Sequence, residues 1–113
     1  MRKLNLKDYT VIVRTPDQMK LGKFIDAEFP YPVKDSILNL LFVPALQLNG
    51  AELVKQNVLA MKLEQCKEDN ILLEDEEYNR IKKAIDTFKG FGKNDVELVE
   101  RINEAEKVEV EQK

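Results

Sequence analysis

The sequence predicts an α+β fold in which an N-terminal β-hairpin packs against about four α-helices. Two patterns carry this prediction. Between Tyr9 and Phe29, two segments rich in β-branched and aromatic residues flank a turn signal that contains Pro16, which is typical of a hairpin. After Asp35, apolar residues recur at steps of three and four, as they do in helices. A chain of 113 residues is expected to form a single domain over residues 1–113.

The hairpin prediction is built from three segments. Tyr9–Arg14 is the first strand, Thr15–Gln18 is the turn, and the return strand lies within Leu21–Phe29. The return strand alternates with the period of a half-buried strand, because Ile25, Ala27 and Phe29 alternate with Phe24, Asp26 and Glu28. A hairpin alone is marginally stable, so we expect a helix to pack on it.

Two helices are expected after the hairpin. Asp35 is predicted to cap a short apolar helix that Pro44 ends. Asn49, with Glu52 three positions later, resembles a capping box and begins a second helix, predicted to run to about Glu68. Its apolar stripe is wide and is therefore expected to contact more than one neighbour, in the chain or in a partner. The stripe contains Leu53, Val54, Val58, Leu59, Ala60, Met61, Leu63 and Cys66.

The segment Ile71–Phe91 gives the clearest helix signal. An acidic first turn, Glu74–Glu77, suits the partial positive charge of a helix N-terminus. The helix is predicted to end at Gly90 in a left-handed cap. Its apolar face, which the other elements are expected to cover, is formed by Tyr78, Ile81, Ile85 and Phe88.

A last helix is predicted after Asn94, which with Glu97 repeats the capping pattern. The segment that follows, Lys107–Glu111, alternates strictly between charged and apolar residues. It either adds a short strand to the edge of the hairpin or frays as a terminal segment.

No catalytic or metal-binding motif is recognisable. The sequence contains no histidine, which excludes a Cys–His nucleophile and histidine metal sites. The acidic cluster at Glu74–Glu77 lacks the spacing of a calcium loop, and Gly90–Lys93 lacks the full phosphate-loop spacing. We therefore predict that the protein is not an enzyme and uses no cofactor and no metal.

The net charge and the cysteine content indicate which classes of partner and which cellular compartment to expect. The net charge of −3 makes nucleic acid an unexpected partner, and the basic group Arg80, Lys82, Lys83 and Lys89 is interpreted as a solvated helix face. The single cysteine, Cys66, points to a reducing compartment. No apolar run is long enough to span a membrane and no signal peptide is recognisable. A cytoplasmic protein without membrane contact is expected.

The segment around Pro30, Pro32 and Pro44 is rich in apolar residues and is the best candidate for a partner interface. Leu38 and Leu41 are assigned to the core. Tyr31, Phe42 and Leu46 are the candidate interface residues, because aromatic side chains are typical binding anchors.

Two motifs carry a resemblance to a class of proteins. The first, L-x-D-x-E-Y-x-x-I-K, begins at Leu73, and the second, N-D-x-E-L-V-x-R-I, begins at Asn94. Together with the preceding hairpin and short apolar helix, this order resembles small open reading frames common in bacteriophages and prophages. The resemblance covers the C-terminal third in detail. It implies a phage-derived accessory or assembly protein in a bacterial cytoplasm, and it brings no catalytic or ligand residues.

The sequence therefore favours a non-enzymatic protein–protein interaction or assembly module whose partner is another protein or a second copy of itself. The alternative is a nucleic-acid-associated regulator that uses a helix–turn–helix at residues 75–105. The acidic last helix is unlike a recognition helix, which is usually basic and polar.

Overall fold

The computed structural model describes residues 1–16 and 22–108. Within them it confirms the α+β class, with five strands and four α-helices. Short 3-10 turns precede α2 and α4. In chain order the elements are β1 (Arg2–Asn5), β2 (Tyr9–Pro16), β3 (Phe24–Tyr31), α1 (Val33–Leu40), α2 (Gly50–Gln65), β4 (Asn70–Leu73), α3 (Asp75–Thr87), α4 (Val96–Asn103) and β5 (Glu106–Lys107).

The predicted hairpin is confirmed and consists of β2 and β3, which we call the arm. The strands are antiparallel, with Tyr9 paired to Tyr31 at the base and Pro16 paired to Phe24 at the far end. Residues 17 and 18 of the predicted turn lie outside the described residues. The described part of the arm forms a two-stranded sheet that is separate from the other sheet.

The second sheet has the strand order β4-β1-β5, and the sequence pattern missed its central strand. In β1 the fully buried apolar side chain is that of Leu4, so the segment shows no alternation long enough to predict a strand. The apolar run that precedes the predicted acidic first turn forms β4 (Asn70–Leu73), which pairs with β1, and α3 begins at Asp75, within that acidic turn. Ile71 and Leu73 face the core while Leu72 faces outward, which is the alternation of a strand.

The C-terminal strand is present, but it pairs with a different neighbour from the one predicted. Lys107 of β5 pairs with Arg2 of β1 rather than with the arm. The pairing is extended by the Val108 amide, which donates to the Met1 carbonyl at 2.8 Å. Residues 109–111 of the predicted strand lie outside the described part of the chain.

The core lies between the three-stranded sheet and the helices. The stripe predicted for α3 is confirmed at Tyr78, Ile81 and Ile85, which are buried, and Phe88 packs partly against them. The core assignment of Leu41 is also confirmed, and Leu38 is half-buried against the same cluster. The largest fully buried side chains are those of Leu4, Val33, Ile37, Leu41, Gln56, Leu59, Leu63, Leu73, Ile81, Leu98 and Ile102.

The cap of α1 is supplied from a distance. Asp35 was predicted to precede the helix, but it lies in the first turn of α1. The helix begins at Val33, with Pro32 at the N-cap position. The side chain that accepts from the Val33 amide is Asp8, at 3.0 Å, which lies just before the arm.

The other helix ends differ from the predictions by a few residues. The cap at Asn49 is confirmed by a 2.8 Å bond from the Glu52 amide, but α2 ends at Gln65 rather than near Glu68. At 16 residues α2 is the longest described helix, and none of the described helices is long and apolar enough to cross a membrane. α3 ends at Thr87, and Gly90 lies in the loop beyond it with a φ of 130°.

The start of α4 was also predicted at the wrong residue. Asn94 does not cap the helix, because it lies inside the 3-10 turn Lys93–Asp95 that precedes α4. Asp95 accepts from the Gly92 amide at 2.7 Å and so closes this turn. Glu97 does not complete a capping box but pairs with Arg101 one turn later, at 2.7 Å.

Candidate interaction surfaces

Two tyrosines attach the arm to the body. The rings of Tyr9 and Tyr31 stack with centroids 4.6 Å apart. The Tyr9 hydroxyl donates to the Asn94 carbonyl at 2.6 Å, and the Tyr31 hydroxyl donates to the Asp95 carboxylate. Burial, together with the hydrogen bond to Asp95, raises the pKa of Tyr31 well above its usual value. The Arg101 guanidinium also lies over the Tyr9 ring, 5.0 Å from its centroid, so the base of the arm is fixed on the segment that leads into α4.

Beyond this base, one face of the arm is apolar. Directly opposed residues in an antiparallel ribbon share a face, and the faces alternate along each strand. On the face of Tyr9 and Tyr31, the successive pairs are Val11 with Phe29, Val13 with Ala27, and Thr15 with Ile25. We call this surface the arm face and define it by Val11, Val13, Ile25, Ala27 and Phe29.

The opposite face of the arm has a mixed composition. Its pairs are Thr10 with Pro30, Ile12 with Glu28, Arg14 with Asp26, and Pro16 with Phe24. Charged side chains interrupt the apolar ones on this side, as is usual for a surface in contact with water.

The described residues leave the arm face largely uncovered. The side chains of Ile25 and Phe29 are 49% and 44% exposed, and that of Val13 is 36% exposed. The expected packing of a helix on the hairpin is therefore present only at the base, near α4. Since an isolated two-stranded hairpin is marginally stable in water, the arm face is a surface that gains stability from a cover.

A second apolar surface lies on the outer side of α2. The wide stripe predicted for this helix is divided by the structure into two parts. Gln56, Leu59, Ala60 and Leu63 are buried against the body. Leu53, Val54, Val58 and Met61 are 48% to 64% exposed, and these four residues define what we call the α2 face.

The α2 face continues into a shallow groove at the C-terminal end of the helix. The groove has a volume of 530 Å³ and is lined by Val58, Met61, Cys66 and Ile71, together with Lys62 and Gln65. Cys66 is half-buried rather than fully buried and lies at the end of α2, where the helix turns toward β4.

The three residues predicted as a partner interface occupy separate places. Tyr31 is half-buried at the base of the arm. Phe42 follows α1 and is 40% exposed. Leu46 packs partly against the core and lines a polar cleft beside α3. Tyr31 and Leu46 line different depressions, so the structure does not join the three residues into one pocket.

The polar cleft is organised by Arg80. Its guanidinium donates to Glu52 at 2.7 Å, to the Gln56 amide oxygen at 3.2 Å and to Glu76 at 3.3 Å. Gln56 is 2% exposed and donates in turn to the Leu41 carbonyl at 3.0 Å. Arg80, with a side chain only 15% exposed, is therefore a packing residue and not part of the solvated basic face predicted from the sequence.

Charges inside the cleft satisfy one another. The hydrogen bond from Arg80, followed by its positive charge, lowers the pKa of Glu52. Burial alone would lower the pKa of Arg80, but the hydrogen bonds to Glu52 and Glu76 outweigh it and raise that pKa. The cleft has a volume of 620 Å³. Inside it, the contacts of Arg80 with Glu52 and Gln56 join α3 to α2.

The described part of the chain gathers no group of side chains suited to metal binding. Within residues 1–16 and 22–108, no three Cys, Asp or Glu side chains are placed to hold a metal ion. In the acidic first turn of α3, the Glu77 carboxylate accepts from Lys62 at 2.7 Å and from the Glu74 amide at 2.9 Å. These contacts fit the predicted role of a charged helix N-terminus.

Comparisons with models of protein families, with curated proteins and with solved structures found no match for this chain. Of the two surfaces, the arm face could have been found from the sequence, since the alternation of Ile25, Ala27 and Phe29 is visible there. The missing information was that the body leaves these side chains uncovered.

Proposed function

We propose that this protein is a non-enzymatic protein–protein interaction or assembly module, and that the arm face is its main binding element. The observation that carries the proposal is the apolar arm face, on which the side chains of Val13, Ile25 and Phe29 are 36% to 49% exposed. Contiguous exposed apolar surface on a folded protein is typical of an interaction site. The tyrosines at the base also hold the arm on the body, so that this surface leaves the body in a defined direction.

The edges of the arm give further support. In the part of the chain that the structure describes, β2 and β3 pair only with each other. Both outer edges therefore offer backbone amides and carbonyls to a partner strand, a common route of protein recognition.

The cellular setting is part of the same proposal. The motifs at Leu73 and Asn94, by their resemblance to phage and prophage reading frames, support a phage-derived accessory protein. The single cysteine supports a reducing compartment such as the bacterial cytoplasm.

The nucleic-acid alternative has less support from the surface. α4 has eight residues, and its outward side chains include Glu97 and Glu100. Acidic side chains on the helix that would enter the groove repel phosphates. Fluorescence anisotropy with duplex DNA tests this alternative, and binding that weakens steeply with salt would revive it.

The decisive experiment exchanges one phenylalanine for aspartate on each side of the same strand. Phe29→Asp places a carboxylate on the arm face. Phe24→Asp is the matched control, since Phe24 is 60% exposed and lies on the opposite face. Tagged wild-type and variant chains are compared by affinity capture from bacterial lysate and by sedimentation of the purified protein.

We expect Phe29→Asp to lose the complex that the wild-type chain and Phe24→Asp both form. The reason is that a carboxylate is desolvated at the contact without a partner. A Phe29→Asp chain that folds and retains every wild-type complex would contradict the proposed role of the arm face.

A further inference from the structure

The described residues leave two apolar surfaces, the arm face and the α2 face, largely uncovered, and they are of similar length. The arm face runs along β3 from Ile25 to Phe29, which corresponds to about 13 Å. The α2 face runs from Leu53 to Met61, which corresponds to about 12 Å. Two surfaces of equal length can lie along each other over their whole extent.

The two surfaces also match in chemistry. The residues that define the arm face and the α2 face are all uncharged. On the same side of α2, the exposed Asn57 is neutral and the exposed Glu64 lies beyond Met61, at the end of the face, so the contact would bury no unpaired charge. The charges of the arm, Arg14, Asp26 and Glu28, lie on its other side and would stay in water. A helix packed on a hairpin is moreover the arrangement that stabilises a two-stranded ribbon.

Within one copy of the chain, the two surfaces do not cover each other. Tyr9 and Tyr31 fix the arm beside the segment that precedes α4. The α2 face lies on the outer side of its helix, since the inner side packs on the body through Gln56, Leu59 and Leu63. The exposure of both surfaces follows from this separation.

The area of the contact favours two reciprocal contacts over one. The two faces contain nine apolar side chains, of which seven are 36% to 64% exposed. A contact that removes about 55 Å² of exposed surface from each of the nine buries about 500 Å², counted over both partners. This is in the range of incidental crystal contacts, whereas two such contacts bury about 1,000 Å², the lower limit for a specific interface. Pairing arm with arm, or α2 with α2, would give one contact and leave the other surface open.

We infer that two copies of this chain form a dimer by reciprocal exchange, in which the arm face of each copy covers the α2 face of the other. This inference rests on the proposed function, because it names the partner of the arm face. It assigns that partner as a second copy of the same chain and adds α2 as the receiving surface.

The test is sedimentation velocity and equilibrium over a concentration series, with four chains. These are the wild type, Phe29→Asp on the arm face, Val58→Asp on the α2 face, and Phe24→Asp as the control. The wild type and Phe24→Asp are expected to be dimers. Each of the other two is expected to have a dimer dissociation constant raised by at least about tenfold. Circular dichroism establishes that each variant folds, and Ile25→Asp or Val54→Asp replaces one that does not.

A mixture of the Phe29→Asp and Val58→Asp variants gives a result that only reciprocal exchange predicts. In a heterodimer of Phe29→Asp with Val58→Asp, one contact joins the intact arm face of one chain to the intact α2 face of the other. We expect this heterodimer to form more tightly than either variant homodimer and more weakly than the wild-type dimer.

Each of the other outcomes overturns the inference in a recognisable way. Dissociation by Phe29→Asp alone would mean that arms pair with arms, and dissociation by Val58→Asp alone would mean that α2 pairs with α2. A larger oligomer would replace reciprocal exchange with an open chain of contacts. A wild-type monomer at all concentrations would also overturn it, and the proposed function would then stand only if Phe29→Asp, but not Phe24→Asp, loses a foreign protein partner.

Discussion

Tyr9 and Tyr31, the first opposed pair of the arm, stack with their ring planes 12° apart. Their hydroxyl groups donate hydrogen bonds to neighbouring residues of the 3-10 turn that precedes α4. Tyr9 reaches the Asn94 carbonyl and Tyr31 reaches the Asp95 carboxylate. This pair sets the direction in which the arm leaves the body, because the rest of the described arm has little contact with the helices.

Removal of the Tyr31 hydroxyl tests this attachment. We expect Tyr31→Phe to lower the free energy of unfolding by about 1–2 kcal/mol, since Asp95 loses a donor to its charged side chain. Tyr9→Phe, which removes a donor to a neutral carbonyl, is expected to cost less, about 1 kcal/mol. Urea denaturation followed by circular dichroism measures both, and the reverse order of the two losses would show that the carboxylate bond is not the stronger attachment.

The remote cap of α1 gives a second prediction. Asp8 accepts from the Val33 amide at 3.0 Å, so Asp8→Ala is expected to lower the free energy of unfolding by about 1 kcal/mol. Asp35→Ala is the control, because Asp35 lies in the first turn of α1 without capping it. Its expected loss is less than about 0.5 kcal/mol. Chemical denaturation of both variants measures the two losses. A larger loss of free energy of unfolding for Asp35→Ala than for Asp8→Ala would favour the cap at Asp35 that the sequence predicts.

The buried amide of α2 gives a third prediction. Gln56 joins the Leu41 carbonyl to the Arg80 guanidinium, and Gln56→Ala leaves both groups without that partner. We expect a loss of about 2 kcal/mol in the free energy of unfolding. The neighbouring Asn57 is exposed, and Asn57→Ala should change it by less than about 0.5 kcal/mol. If urea denaturation gave the same loss of free energy of unfolding for Gln56→Ala and Asn57→Ala, Gln56 would not stabilise the protein through its two hydrogen bonds.

The ion pair between Glu52 and Arg80 predicts a pH dependence. Hydrogen bonding to Arg80 lowers the pKa of Glu52 in the folded state below its value of 4.5 in the absence of the fold. The unfolded state therefore binds the proton more readily, and the stability from this pair is present above about pH 4.5 and is lost as the pH falls through the folded pKa.

The measurement compares melting temperatures of the wild type and Glu52→Gln between pH 7 and pH 3. We expect the wild type to be the more stable at neutral pH and the difference to shrink on acidification. A difference that stays constant over this range would show that the carboxylate charge of Glu52 does not contribute.

The interface predicted from the sequence remains testable at Phe42. Because its side chain is 40% exposed, Phe42→Asp is expected to fold, with a loss of less than about 1 kcal/mol in the free energy of unfolding. If the segment after α1 contributes to partner binding, this variant loses a partner while its thermal melting is unchanged. If the Phe42→Asp variant no longer unfolds cooperatively, Phe42 is instead needed for the core.

The sequence predicted the elements whose pattern is local and long. α3 repeats apolar residues over several turns, and the arm alternates on both sides of its turn. In contrast, β1 has one fully buried apolar residue, Leu4, and its strand character depends on β4 and β5, which lie far along the chain. The role of Asp8 depends in the same way on a helix 25 residues away.

The candidate surfaces were harder to predict for a physical reason. Apolar periodicity shows which residues share a face, but it does not show whether another element covers that face. Val54, Val58 and Met61 form a helical stripe as regular as that of α3, yet they are exposed because Leu59 and Leu63 supply the buried side of the helix.

The central position of β1 has a consequence for the order of events during protein synthesis. Arg2 is made before both residues that it pairs with, Leu73 on one side and Lys107 on the other. The sheet is therefore incomplete until β5 has left the ribosome, while the arm can pair as soon as Tyr31 has emerged. Contacts this distant in sequence are slow to form, so the described strands of the arm are expected to pair before the three-stranded sheet is complete.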